Sequence, residues 1–124
     1  MRLLSYAELP LTSDPRQVFT LDVSIDGVPL HVRVEIRFLS AVSRWVISLW
    51  DQASSSLLVS QLPLVVSCGE VNDLLLPFRY LREGKGIGSL FLLPGGEEAA
   101  DPSRHNLPDF TLLWGDTLTP EEPA

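Results

Sequence analysis

Hydrophobic and polar residues alternate along most of this chain. "QVFTLDVSI" (17–25) places Phe19, Leu21, Val23 and Ile25 on one side. "LHVRVEIRF" (30–38) sends Leu30, Val32, Val34, Ile36 and Phe38 one way and His31, Arg33, Glu35 and Arg37 the other. A period of two marks a strand with one buried face. Between these runs lies "DGVP". Asp-Gly between two alternating runs predicts a hairpin, because glycine adopts the positive φ that a tight turn needs. Pro29 lacks an N–H and belongs at the start of its strand, not within the ladder.

The pattern continues with "RWVISLWDQ" (44–52), where Trp45, Ile47 and Leu49 share one face and Val46, Ser48 and Trp50 share the other. Apolar and aromatic residues on both faces predict a strand covered, at least in part, on both sides. "DQASSS" reads as a turn, and "LLVSQLPLVVS" (57–67) as a strand broken at Pro63. In "GEVNDLLLPFRYLREGKGIG" (69–88), Val71, Leu74 and Leu75 have helical spacing, but Pro77 limits the run to about two turns. Gly84, Gly86 and Gly88 predict a flexible or tightly turned loop. "SLFLLP" (89–94) reads as a buried strand, "GGEEAADPSRHNLP" (95–108) as a polar loop and "DFTLLWG" (109–115) as a last strand. The expected class is all-β and mainly antiparallel, a small sandwich or partly open barrel of about six strands with at most one short helix. One domain is expected over residues 1–124, with its core at 17–116, an N-terminal arm at 1–16 and a C-terminal tail at 117–124. No internal repeat or dividing linker interrupts it.

Composition narrows the class. With 124 residues and 45 % hydrophobic content, the chain can bury a core without metal or disulfide staples. No run approaches the ~20 apolar residues that span a bilayer, so no membrane association is expected. Glu8, Pro10 and Asp14 interrupt the N-terminal region before an apolar stretch of signal-peptide length, which predicts no export signal. The net charge is −7, and it is uneven. Residues 1–62 carry five basic and six acidic groups, net −1, whereas residues 63–124 carry four basic and ten acidic, net −6. Repulsion from phosphate backbones therefore disfavours general nucleic-acid binding, and no Lys/Arg cluster opposes it. Cys68 is the single cysteine, which excludes an internal disulfide and points to assembly inside a cell.

Candidate chemistry is sparse. His31 and His105 have no second ligand at metal spacing, so no metal or cofactor is expected. Cys68 follows an apolar run and reads as a small buried hydrophobe. "GKGIG" (84–88) lacks the spacing of a phosphate loop. Glu97–Glu98 and Glu121–Glu122 have no acid/base partner near them in sequence, and Ser54–Ser56 form no nucleophile elbow. No enzymatic activity and no catalytic residue are expected. The aromatic residues suggest another role. Trp45 and Trp50 lie on opposite faces of one strand, Trp114 ends the last strand, and "LPFRYL" (76–81) sets Phe78, Arg79 and Tyr80 side by side. Trp, Tyr and Arg commonly anchor protein interfaces, so at least one exposed apolar patch is expected.

The order of these pieces resembles the baseplate plug family of contractile-tailed bacteriophages. The resemblance covers residues 17–116 and lies in "FTLDVSIDGVPLHVRVEIRF", "RWVISLWDQ", "LLVSQLPLVVSCGEVNDLLLPFRYL", "GSLFLL" and "NLPDFTLLWGD". The turn "DQASSSL" is longer than the compact Asp-Gly turn the family pattern leads one to expect, and neither end of the chain is covered. The resemblance implies a structural, non-enzymatic virion protein in the tail baseplate, near the axis where tube, hub and spike meet. It would be assembled in the bacterial host cytoplasm, in several copies within a symmetric structure. Its implied partners are the baseplate hub, tail tube, spike and wedge proteins, with no sequence-specific nucleic acid. The competing class is a free-standing small β-barrel that binds an apolar ligand or a partner peptide. On the assembly reading, Arg33, Glu35, Arg37, Trp50, Phe78, Arg79, Tyr80 and Trp114 are the expected interface residues, and the charged face of 31–37 serves to fix register between subunits. The acidic second half would suit a tube lumen, where negative walls do not hold passing DNA.

Overall fold

A computed structural model describes residues 6–67, 72–78, 87–94 and 100–117. Seven strands form within these residues: β1 (Tyr6–Leu9), β2 (Arg16–Ile25), β3 (Val28–Leu39), β4 (Arg44–Asp51), β5 (Ser56–Pro63), β6 (Ser89–Leu93) and β7 (Thr111–Gly115). They make two antiparallel sheets, one of four strands in the order β2-β3-β4-β5 and one of three in the order β1-β7-β6. The all-β class is as expected. The first strand arises inside the segment read as an arm: β1 pairs Tyr6 with Gly115 through Leu9 with Leu112. In so short a run the alternation is too brief to stand out, and pairing with β7 supplies what the local pattern lacks.

The β2–β3 hairpin closes with a two-residue turn of Asp26 (φ 53°) and Gly27 (φ 83°) between the partners Ile25 and Val28. Two successive positive φ values are those of a type I′ turn, whose twist matches that of the flanking strands. The pair next to it, Ser24 and Pro29, falls at a non-hydrogen-bonded site, so the missing N–H of Pro29 costs the ladder nothing. β5 ends at Pro63, and beyond this break Val66 makes a single parallel bridge to Leu92 of the other sheet. The short helix expected near Leu74–Leu75 reduces to one 3₁₀ turn, Leu76–Phe78, with Pro77 inside it; Val71 lies outside the described residues. A second 3₁₀ turn, Leu107–Asp109, precedes β7.

Both sheets feed one core. Val23, Ile25, Val32, Val34, Ile36, Ile47, Leu49 and Val59 of the larger sheet pack with Leu9, Leu90, Leu92, Leu112 and Trp114 of the smaller one. Each such aliphatic side chain contributes about 1.5–3 kcal/mol on full burial. Trp45 and Trp114 are both enclosed, and each finds a partner for its indole N–H. Trp45 Nε1 donates to Ser103 O at 2.7 Å, and Trp114 Nε1 donates to Ile87 O at 2.7 Å. These bonds satisfy the one polar atom that an indole brings into a core.

Four aspartates tie loops to sheets. Asp116 Oδ1 accepts the Asp26 N–H at 2.7 Å, while Asp26 accepts from Thr117, so the hairpin tip is latched to the end of β7. Asp73 accepts the amides of Leu75 and Leu90 and the hydroxyl of Ser89. Asp101 accepts the Val66 amide at 2.9 Å and pairs with Arg44 Nη1 at 2.8 Å. Where β4 and β5 slip out of register, Gln61 has φ 49° and its N–H is taken by the buried Ser48 Oγ at 2.9 Å. The hydroxyl thus replaces a ladder acceptor that the bulge removes.

Candidate interaction face

The face that β2, β3 and β4 turn away from the core is the charged side of the alternating pattern. Cross-strand register sets its rows. Asp22 stands opposite His31; Thr20, Arg33, Trp50 and Leu57 form the next row; Val18, Glu35 and Ser48 the next; and Arg16, Arg37 and Val46 the last. Residues opposite each other on an antiparallel pair lie close enough to interact.

Most of these charges are held within the sheet. Arg16 Nε donates to Glu35 Oε2 at 3.1 Å along a diagonal. The Arg33 guanidinium lies 4.7 Å over the Trp50 ring, a cation–π stack that covers one face of a half-buried indole. His31 Nδ1 contacts Asp22 Oδ1. Arg37 is exposed, and no ion pair involving it occurs among the described residues. Among these paired charges stand exposed apolar side chains, Val18 at 45 % and Leu57 at 52 %. The result is a pre-ordered surface of mixed polarity, with an aromatic anchor beside an arginine and an open aliphatic at either side. Of these side chains, Trp and Arg are the types enriched at protein interfaces relative to the rest of a protein surface.

The expected interface residues divide into four groups. Arg33, Glu35, Arg37 and Trp50 share the outer face of the four-stranded sheet. Phe78 is half-buried and packs against the core from the 3₁₀ turn, away from that row. Arg79 and Tyr80 lie outside the described residues. Trp114 is corrected: it is fully buried, because it shares a face of β7 with Leu112 and that face is the core face. A terminal position on a strand therefore gave no exposure.

Val18 and Leu57 were not anticipated. Val18 had a legible signal, as an apolar residue at a polar position of an alternating strand. Leu57 had none, because it reaches the outer face only through the irregular pairing of β4 with β5. His105 is exposed in the loop before β7, Cys68 lies outside the described residues, and no group of three metal-ligating side chains occurs among the described residues. No helix among them is long and apolar enough to cross a membrane. The arrangement defines a two-sheet all-β protein with an ordered outer face. No protein-family model matches the chain, and no significant relative is found among curated proteins.

Proposed function

We propose that this protein is a structural subunit of a contractile phage tail baseplate, placed near the axis where tube, hub and spike meet, and that it works by protein–protein assembly, not by catalysis. The segment order across residues 17–116 supports the tail setting. The observation that carries the mode of action is the outer face of the four-stranded sheet, where Arg33 is stacked on Trp50 and Glu35 is paired with Arg16. Side chains fixed in this way lose little further freedom on binding, so less of the contact energy is spent on ordering them. Arg37 supplies an exposed cation for an acidic neighbour, and Val18, Trp50 and Leu57 supply apolar contact.

The test reverses the charge of Arg33 and Arg37 together. The isolated protein remains folded, because exposed charge interactions contribute only ~0–1 kcal/mol each. In a phage lacking the wild-type gene, the double variant fails to restore tailed particles counted by electron microscopy, because like charges now meet across a joint. Normal particle numbers and infectivity would mean that this face meets only water. Absence of the wild-type chain from purified virions would remove the tail setting altogether.

A further inference from the structure

The two edges of the four-stranded sheet are unlike. The β5 edge is blunted by register shifts, by the positive φ of Gln61 and by Pro63 at its end. The β2 edge runs uninterrupted from Arg16 to Ile25, with no bulge and no proline, and no strand among the described residues pairs with its outer side. A long regular edge is a template for another strand unless something blocks it.

Hairpin geometry fixes which backbone groups face outward. In a two-residue hairpin the residues flanking the turn are hydrogen-bonded to each other, so Ile25, Val23, Leu21, Phe19 and Gln17 use their N–H and C=O groups on β3. The bond from Phe38 N–H to Pro15 O at 2.8 Å continues that same series. Val18, Thr20, Asp22 and Ser24 therefore direct theirs to the open edge, as Arg16 does its carbonyl, while the Arg16 N–H donates to Asp14 Oδ1 at 3.0 Å. Next to them, Phe19 and Leu21 pack on the core but are only half-buried.

We propose that β2 pairs antiparallel with β2 of a second copy of this chain about a two-fold axis at Phe19, joining two four-stranded sheets into one continuous sheet. Charge selects the register. With the axis at Phe19, Arg16 of each copy faces Asp22 of the other, Val18 faces Thr20, and the two Phe19 rings meet on the axis beside the half-open core. With the axis at Thr20, Asp22 is set against Val18 and Arg16 against Ser24. With the axis at Leu21, Asp22 faces Thr20 and Val18 faces Ser24. Only the first places opposite charges across the joint and an aromatic pair at its centre, both favourable as cross-strand neighbours. The two-fold makes the contact isologous, so it closes on a dimer. The inference stands apart from the tail assignment and does not depend on it.

The mass of the full chain in solution, followed by sedimentation equilibrium over a wide concentration range, tests it. Wild type is expected to reach twice the chain mass of 13.7 kDa. Thr20→Pro removes an N–H that only the edge uses and is tolerated where the N–H faces outward. It is expected to keep the wild-type circular dichroism and remain at the single-chain mass. Register is read in a Cys68→Ser background. Phe19→Cys occupies a non-hydrogen-bonded pair on the axis, where Cα atoms lie about 4.5 Å apart, within disulfide reach. It is expected to form a covalent dimer under mild copper–phenanthroline oxidation, while Thr20→Cys, facing Val18, forms little. The proposal is overturned by a wild-type chain that stays monomeric throughout. It is equally overturned by a dimer that survives Thr20→Pro, or by cross-linking of Thr20→Cys in preference to Phe19→Cys.

Discussion

The carboxylate of Asp26 accepts two hydrogen bonds from Thr117, the backbone N–H at 2.9 Å and the hydroxyl at 2.7 Å. The residue that turns the β2–β3 hairpin is thereby latched to the residue that follows β7, ninety-one positions along the chain. Bonds to a charged acceptor contribute about 1.5–3 kcal/mol. Asp26→Gly separates this latch from the turn, since glycine keeps the positive φ and lacks only the carboxylate. It is expected to lower the stability by about 2 kcal/mol in urea denaturation, and Thr117→Val, which loses the hydroxyl alone, by about 1 kcal/mol. Equal and negligible effects would show that the hairpin and β7 are held together by other contacts.

Gly27 and Gly88 both have positive φ, at 83° and 86°, but their surroundings differ. A Cβ on Gly27 meets nothing within 4 Å, whereas one on Gly88 lies 2.0 Å from the Gly115 carbonyl oxygen and 3.0 Å from Ile25. Gly27→Ala, like Gly27→Val, therefore incurs mainly the left-handed backbone penalty of about 1–2 kcal/mol. Gly88→Ala adds a clash with the main chain of β7 and is expected to cost roughly 3 kcal/mol or more. Denaturant midpoints for the alanine pair check the order, and a Gly88→Ala midpoint at or above that of Gly27→Ala would contradict it.

The Tyr6 hydroxyl is buried and has no hydrogen-bond partner among the described residues, while its ring stands edge-on to Phe91 with centroids 5.6 Å apart. Burial raises its pKa above the ordinary 10.0, and the charges of Asp116, Asp73 and Asp26 raise it further. The folded state thus holds the proton more tightly than the unfolded chain. The stability linked to Tyr6 is complete below pH 10.0 and declines as pH rises from there through the folded-state value. Tyr6→Phe is expected to stabilise the protein by up to about 1 kcal/mol at neutral pH, by removing an unsatisfied hydroxyl. The same variant should flatten the alkaline loss, measured as denaturant midpoint against pH; an unchanged alkaline slope would assign that loss to other groups.

Of the three tryptophans, Trp45 and Trp114 are enclosed and Trp50 is half-buried beneath Arg33. Acrylamide, a neutral quencher, should therefore read chiefly Trp50. Arg33→Ala is expected to increase quenching and to cost about 0.5–1 kcal/mol, the range of a partly exposed cation–π contact. Quenching identical to wild type would show that the guanidinium does not shield the indole in solution.

Local physics determined much of this protein. Because successive side chains on a strand point to opposite faces, the alternation of 17–25 and 30–38 specified both strands, their buried residues and the charged outer row of Arg33, Glu35 and Arg37. Asp26–Gly27 specified the turn, because few residues tolerate two positive φ values in succession. Pro63 specified where β5 stops. The tertiary structure alone decided which side of "DFTLLWG" was the core. The alternation puts Trp114 with Leu112, but only packing under the second sheet shows that theirs is the inner face. It alone revealed β1, whose few residues become a strand by pairing with β7, and the Asp26–Thr117 latch, which joins residues far apart in the chain. Whether the charges of the outer face were free or matched was also undecided by sequence. A carboxylate's partner depends on cross-strand register, and only the assembled sheet brought Arg16 to Glu35 and laid Arg33 on Trp50.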